Sequence, residues 1–107
     1  MSTSIVEREV AIVDVQVTAE ELIVKFNDGH TMQVPLSWYP RLLHGTEAER
    51  QNWELWPGGY AIEWPDLDEH IGAKGLAAGN RSGESERSLA RWLESRRKGA
   101  HPPASPA

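Results

Sequence analysis

Residues 36–69, L-S-W-Y-P-R-L-L-H-G-T-E-A-E-R-Q-N-W-E-L-W-P-G-G-Y-A-I-E-W-P-D-L-D-E, decide the reading of this chain. They hold Trp38, Trp53, Trp56 and Trp64, four of the five tryptophans, and both tyrosines, Tyr39 and Tyr60. Large aromatics bury more area than aliphatic side chains, so this stretch is expected to dominate the core, with Trp38 and Trp64 as its anchors. Ser37 reads as the cap of a short helix over residues 38–43 that Gly45 ends. Pro40 is tolerated there because the first turn has no intrahelical N–H bond to lose. Thr46 and Glu49 have the spacing of a capping box and open a second short helix toward Asn52. Residues 53–56 and 60–64 flank Pro57-Gly58-Gly59 as a hairpin, and Pro65 stops its second strand. Asp68 reads as the N-cap of a helical turn into Ile71. Gly72, Gly75 and Gly79 predict an irregular stretch anchored by Leu76.

On the N-terminal side, residues 10–17, V-A-I-V-D-V-Q-V, alternate as a half-buried strand, with Val13, Val15 and Val17 on one face and Asp14 and Gln16 on the other. Residues 22–26 form a second strand with Leu22, Val24 and Phe26 inward. Asn27-Asp28-Gly29-His30 turns the chain, since glycine accepts the positive φ of a tight hairpin. Residues 31–36 return with Met32, Val34 and Leu36 inward, and Pro35 suits an edge strand because it cannot donate to a ladder.

On the C-terminal side, residues 84–98 read as one helix. Leu89, Trp92, Leu93 and Arg96 follow i, i+3, i+4, i+7 spacing. So narrow an apolar stripe needs a partner surface, which makes Trp92 an expected buried residue. Gly99 reads as the stop, and residues 99–107 have nothing to bury and are expected to be disordered. The expected architecture is α+β: an antiparallel β-meander with short helices in a domain over residues 1–80. The helix over 81–98 packs on that body or on a second chain.

The net charge of −5 is unevenly spread. Residues 1–80 carry five Lys/Arg against thirteen Asp/Glu, a balance of −8, while residues 81–98 carry six against three, a balance of +3. An acidic body repels phosphate and attracts basic partners. Nucleic acid is therefore not expected on the body and is left as an alternative for residues 81–98. The chain has no cysteine, which rules out disulfides and thiolate metal sites and suits a cytoplasmic location. Neither a signal peptide nor a run of roughly 20 apolar residues is read, so no membrane contact is expected.

Asp66, Asp68, Glu69 and His70 form the densest polar cluster. Carboxylates beside an imidazole suit acid–base chemistry or a hard cation. Their spacing matches no established metal motif, however, and turn and cap roles account for the aspartates. His30, His44 and His101 fall at a hairpin tip, a helix end and the tail, where structural roles suffice. Nucleophile-elbow, zincin, P-loop and dinucleotide-binding motifs are all missing. No catalytic residue, metal or cofactor is expected. Trp56, next to Pro57-Gly58-Gly59, is the expected exposed aromatic and the first candidate for a protein contact. Tyr39, Arg41 and Trp92 complete that candidate set. Arg41 is also expected to fix its turn through a carboxylate such as Asp66 or Asp68.

Three pieces carry a resemblance: Phe26-Asn27-Asp28-Gly29, Leu36-Ser37-Trp38-Tyr39-Pro40-Arg41-Leu42 and Ile62-Glu63-Trp64-Pro65-Asp66-Leu67-Asp68-Glu69. Their order and spacing over residues 8–79 resemble a small bacterial domain-of-unknown-function family with the pattern F-x-D-G, L-x-W-Y-P-R-L, W-P-x-L-D-E. After Glu69 the family pattern has an acidic residue and a β-branched stretch, where this chain has His70-Ile71-Gly72-Ala73. The resemblance implies a small α+β domain encoded beside a second small protein, in an arrangement like a toxin–antitoxin pair. It carries no catalytic residues. Some members are joined to a helix-turn-helix, which needs two helices where this chain has one C-terminal helix. The expected function is a non-enzymatic protein-binding domain, the antitoxin-like member of a two-gene pair with a basic partner, or a homodimer. A DNA-associated regulator using residues 81–98, and a small metal-dependent enzyme built on the polar cluster, are the alternatives.

Overall fold

Apolar alternation builds the first half of the chain as a meander: β1 (Ile12–Val17), β2 (Glu21–Phe26) and β3 (Thr31–Pro35) form an antiparallel sheet in the order β1-β2-β3. The structure is a computed structural model that describes the backbone of residues 10–100 and side chains to Lys98. Val15 pairs with Val24, Val17 with Leu22 and Leu22 with Val34, which puts one apolar face inward. The expected face of β1 is corrected at Val13. The register slips between Ile12 and Asp14, a bulge that leaves Val13 52% exposed and turns Ile12 into the core instead. At the β2–β3 turn Gly29 has φ +97°, and His30 N–H donates to Asp28 Oδ1 at 3.0 Å. Pro35 does lie on an edge strand.

The expected Ser37 cap is not formed. Residues Leu36–Trp38 make a single 3₁₀ turn, Tyr39 takes φ −131° and ψ 87°, and α1 (Pro40–His44) begins at the proline. The ring of a proline pushes the preceding residue out of the helical region, so no helix could run from Trp38 through Tyr39 into Pro40. The capping box is present: Thr46 Oγ1 accepts from Glu49 N–H and Glu49 Oε1 accepts from Thr46 N–H, opening α2 (Glu47–Gln51). Arg50 closes α1 from the far side, donating to the carbonyls of Leu42 and Leu43 at 2.9 and 3.1 Å.

A second antiparallel sheet, β4 (Glu54–Leu55), β5 (Ala61–Trp64) and β6 (Glu69–Gly72), has the order β4-β5-β6. Asp68 is not a helix cap. It sits in the left-handed region at φ 52° and ψ 44°, which a short polar side chain tolerates, and this reversal feeds strand β6 rather than a helical turn. The stretch expected to be irregular contains a helix, α3 (Ala73–Ala77), buried through Ala73 and Leu76. Gly79, at φ +85°, ends it.

Trp64, Phe26, Leu22, Leu36, Leu42, Ile62, Leu67, Leu76 and Val24 are fully buried and join both sheets in one core. Trp64 also donates its Nε1–H to the Arg50 carbonyl at 2.9 Å. Trp38 is only half-buried against this core, with the Arg81 guanidinium 4.7 Å above its ring.

Residues 80–85 form an irregular strap back over the body. Tyr39 Oη donates to the Asn80 carbonyl at 2.8 Å, and Ser82 N–H donates to the Trp38 carbonyl at 3.0 Å. The last helix, α4 (Glu86–Ala100), starts two residues later than expected, with Ser85 Oγ accepting from Ser88 N–H. Gly99 does not stop it, because the helix includes Gly99 and reaches Ala100, the last described residue. The expectation of a disordered tail falls, for residues 101–107, outside the described residues. α4 docks on the body: Arg96 forms two hydrogen bonds with Glu49 at 2.8 and 3.1 Å. Trp92 is partly rather than largely buried, its ring within 4.8 Å of Arg41 and 4.7 Å of Arg96. Among the described residues no helix is long and apolar enough to cross a membrane.

Candidate functional site

The register of the second sheet sets Glu54 opposite Glu63 and Glu63 opposite His70, a row of three side chains across its outer face. Like charges directly opposite each other on two strands repel, so this pairing costs stability. Trp56 follows β4 on the same face. Its ring stacks on His70 with centroids 5.3 Å apart and planes at 20°, and its Nε1–H donates to Glu63 Oε1 at 3.1 Å. Ala61, on that face by alternation, is buried. Trp56 and Tyr60 remain 41% and 51% exposed, so the expectation of an exposed Trp56 holds.

The Pro57-Gly58-Gly59 turn presents these aromatics and is itself pinned. Gly59 has φ +72°, and a Cβ there would lie 2.3 Å from the Ile12 carbonyl oxygen. The aromatic hairpin is thus locked against the bulged start of β1.

The other candidate contact residues are placed elsewhere. Tyr39 is a core residue, 4% exposed, and burial pushes its phenol up to about 12. Trp92 has the Arg41 and Arg96 guanidiniums over its ring. Arg41 does fix its turn, but its principal partner is Glu84. Nε and Nη2 reach the Glu84 carboxylate at 2.9 and 2.7 Å, while Nη1 reaches the Asp68 carbonyl at 3.1 Å and the Asp68 carboxylate at 3.5 Å. Hydrogen bonding to Arg41 holds Glu84 below the ordinary carboxylate range.

The polar cluster Asp66, Asp68, Glu69 and His70 does not assemble into one site. Asp66 accepts from Asn52 Nδ2 at 2.9 Å, the Asp68 side chain is 92% exposed, and His70 turns to Trp56. Glu69 and His70, consecutive in a strand, point to opposite faces. Among the described residues no group of three or more His, Cys, Asp or Glu could hold a metal ion. Glu69 sits in a strongly perturbing environment. Burial raises its carboxyl to about 7; Arg41 opposes the rise and the charges of Glu84 and Asp68 add to it. It lines two adjoining depressions, of about 310 and 230 Å³, between β6 and the strap.

Sequence reasoning did not single out Glu54, Glu63 or Glu84. The first two were within reach, since counting residues outward from the Pro57-Gly58-Gly59 turn places them opposite one another. Nothing local marks Glu84, which meets Arg41 across 43 residues.

A crystal structure of a protein of unknown function from Rhodospirillum rubrum ATCC 11170 shares this fold, with a TM-score of 0.63 at 22% identity over 72% of this chain and 95% of that one. No curated protein matches the chain. The family of proteins of unknown function DUF2442 matches residues 12–82, the two sheets, α1 to α3 and the first part of the strap, and leaves α4 outside. The chain belongs to the family DUF2442.

Proposed function

We propose that this domain is a non-catalytic protein-binding module whose contact surface is the outer face of the second sheet. The observation that carries the reading is the pair of exposed aromatics, Trp56 and Tyr60, beside the opposed carboxylates Glu54 and Glu63. An aromatic rim around uncompensated negative charge suits a partner that presents basic side chains. Such a partner relieves the Glu54–Glu63 repulsion as it binds, and the acidic body speeds its approach. The gene arrangement implied by the family resemblance makes the neighbouring gene product the partner to test, with this chain as the antitoxin-like member.

The basic helix is a weaker basis for nucleic-acid binding. Arg96 is spent on Glu49, Arg97 on Glu94, and Arg81 covers Trp38, so these cations already serve the fold.

Co-expression with the neighbouring gene product tests the proposal. The expected result is a complex at micromolar concentration that Trp56→Ala weakens by at least about tenfold. Its own melting midpoint should change little, because Trp56 lies outside the core. No complex, or a complex indifferent to Trp56→Ala, overturns it.

A further inference from the structure

The Glu69 carboxylate accepts no hydrogen bond among the described residues, although it is partly buried. The cation that faces it, Arg41, has its Nε and Nη2 on Glu84 and its Nη1 on the Asp68 carbonyl. Glu84 is satisfied by Arg41 and by the Ser88 hydroxyl, which donates at 2.8 Å. Of the carboxylates around Arg41, Glu69 is therefore left with attraction at a distance and no donor. The Ser82 hydroxyl accepts from Glu84 N–H at 3.1 Å, which leaves its own proton for another acceptor. Glu69, His70 and Ser82 line both depressions, which lie along the outer edge of β6.

We propose that this trough is a socket for one lysine or arginine side chain of the protein partner, with the cationic head seated against the Glu69 carboxylate. The proposal rests on the protein-binding reading and extends it to a named contact. Three features favour a partner's side chain over a free small molecule. The depressions, at about 310 and 230 Å³, fall at or below the lower end of ligand pockets, which suits a single side chain. His70 lines the trough while its ring stacks on Trp56, so strand β6 joins the trough to the aromatic face on its other side. A chain that crosses the edge of β6 from Trp56 reaches the trough. The burial that pushes the Glu69 carboxyl up to about 7 also lowers the dielectric in which an incoming cation meets it. Seating the cation drives the Glu69 proton out to solvent, and the pair formed is charge-assisted.

The test uses the full chain and a blocked amino acid, N-acetyl-arginine methylamide, followed by amide chemical shifts at pH 8, with the neutral isostere N-acetyl-citrulline methylamide as control. The expected result is saturable shifts at His70, Ser82 and Gly83 with the arginine probe alone, weakened by about tenfold or more in Glu69→Gln. That variant removes a charge without removing volume, so its fold is retained. Equal binding to wild type and Glu69→Gln, shifts centred on Glu54 and Glu63, or none at all, overturn the socket. If the partner complex forms and Glu69→Gln leaves its affinity intact, the socket falls while the protein-binding reading stands. If the probe binds at Glu69 but no partner complex forms, the cation site stands and the protein-binding reading falls.

Discussion

Arg41 grips Glu84 across 43 residues, with contacts of 2.9, 3.1 and 2.7 Å, and so ties the strap before the last helix to the first helix of the body. The same guanidinium lies 4.8 Å from the Trp92 ring. One side chain thus holds both the strap and the helix that follows it. The Arg41 and Glu84 side chains are 15% and 8% exposed, so breaking the pair strands a charge away from water. Glu84→Ala is expected to destabilise the chain by about 3 kcal/mol, as measured by urea denaturation. It should also change the fluorescence of Trp92 in a background where the other tryptophans are replaced by phenylalanine.

Trp64 is fully buried and hydrogen-bonded to the Arg50 carbonyl. Trp64→Ala should cost about 3–5 kcal/mol through the cavity it leaves. Trp64→Phe keeps most of the volume but orphans the carbonyl, and should cost about 1–2 kcal/mol. Denaturation midpoints of both variants check the order.

Gly29 and Gly59 both have positive φ but differ in surroundings. A Cβ at Gly29 meets nothing within 4 Å, whereas at Gly59 it meets the Ile12 carbonyl at 2.3 Å. Gly29→Ala should cost about 1 kcal/mol, the conformational penalty alone. Gly59→Ala should cost about 2–4 kcal/mol and shift the resonances of Trp56 and His70, since the aromatic hairpin must lift off β1.

Stability should fall as pH rises through neutrality, against the usual trend for a carboxylate. Glu69 titrates at about 7 when folded, against an ordinary 4.5. Its contribution is fully present below about 4.5 and is lost as pH rises through 7, because over that window the unfolded chain has already given up the proton that the folded one keeps. Glu49 and Glu84 run the other way: their lowered values give stability above the ordinary carboxylate range that is lost on acidification. Thermal melts from pH 4 to 9 should therefore peak near about pH 5. Glu69→Gln should flatten the alkaline descent by about 1–2 kcal/mol, the share left after solvent screening.

Local patterns made much of the first sheet and both hairpins legible. Strand β2 has a clean period of two, Gly29 marks its turn, and the Thr46–Glu49 box needs only its own four residues. Errors arose where a distant contact or a competing local rule decided. Val13 fits the strand pattern, but the bulge shifts its face. Asp68 fits a helix cap equally well as a left-handed turn, and only pairing with β5 favours the strand. The site was partly legible, because Trp56 beside two glycines signals exposure. The surroundings of Tyr39 and Trp92 are not legible locally, because their partners, the Asn80 carbonyl, Arg41 and Arg96, come from other parts of the chain.

The bulge at Val13 and the proline at position 35 lie on the two outer strands of the first sheet. Gln51 Nε2 also donates to the Val17 carbonyl at 2.8 Å, and the Gly59 turn presses on Ile12. An uninterrupted edge is a template on which further copies add strand by strand, and these interruptions deny that template at both borders. The first sheet is thereby a poor seed for ribbon-like aggregation.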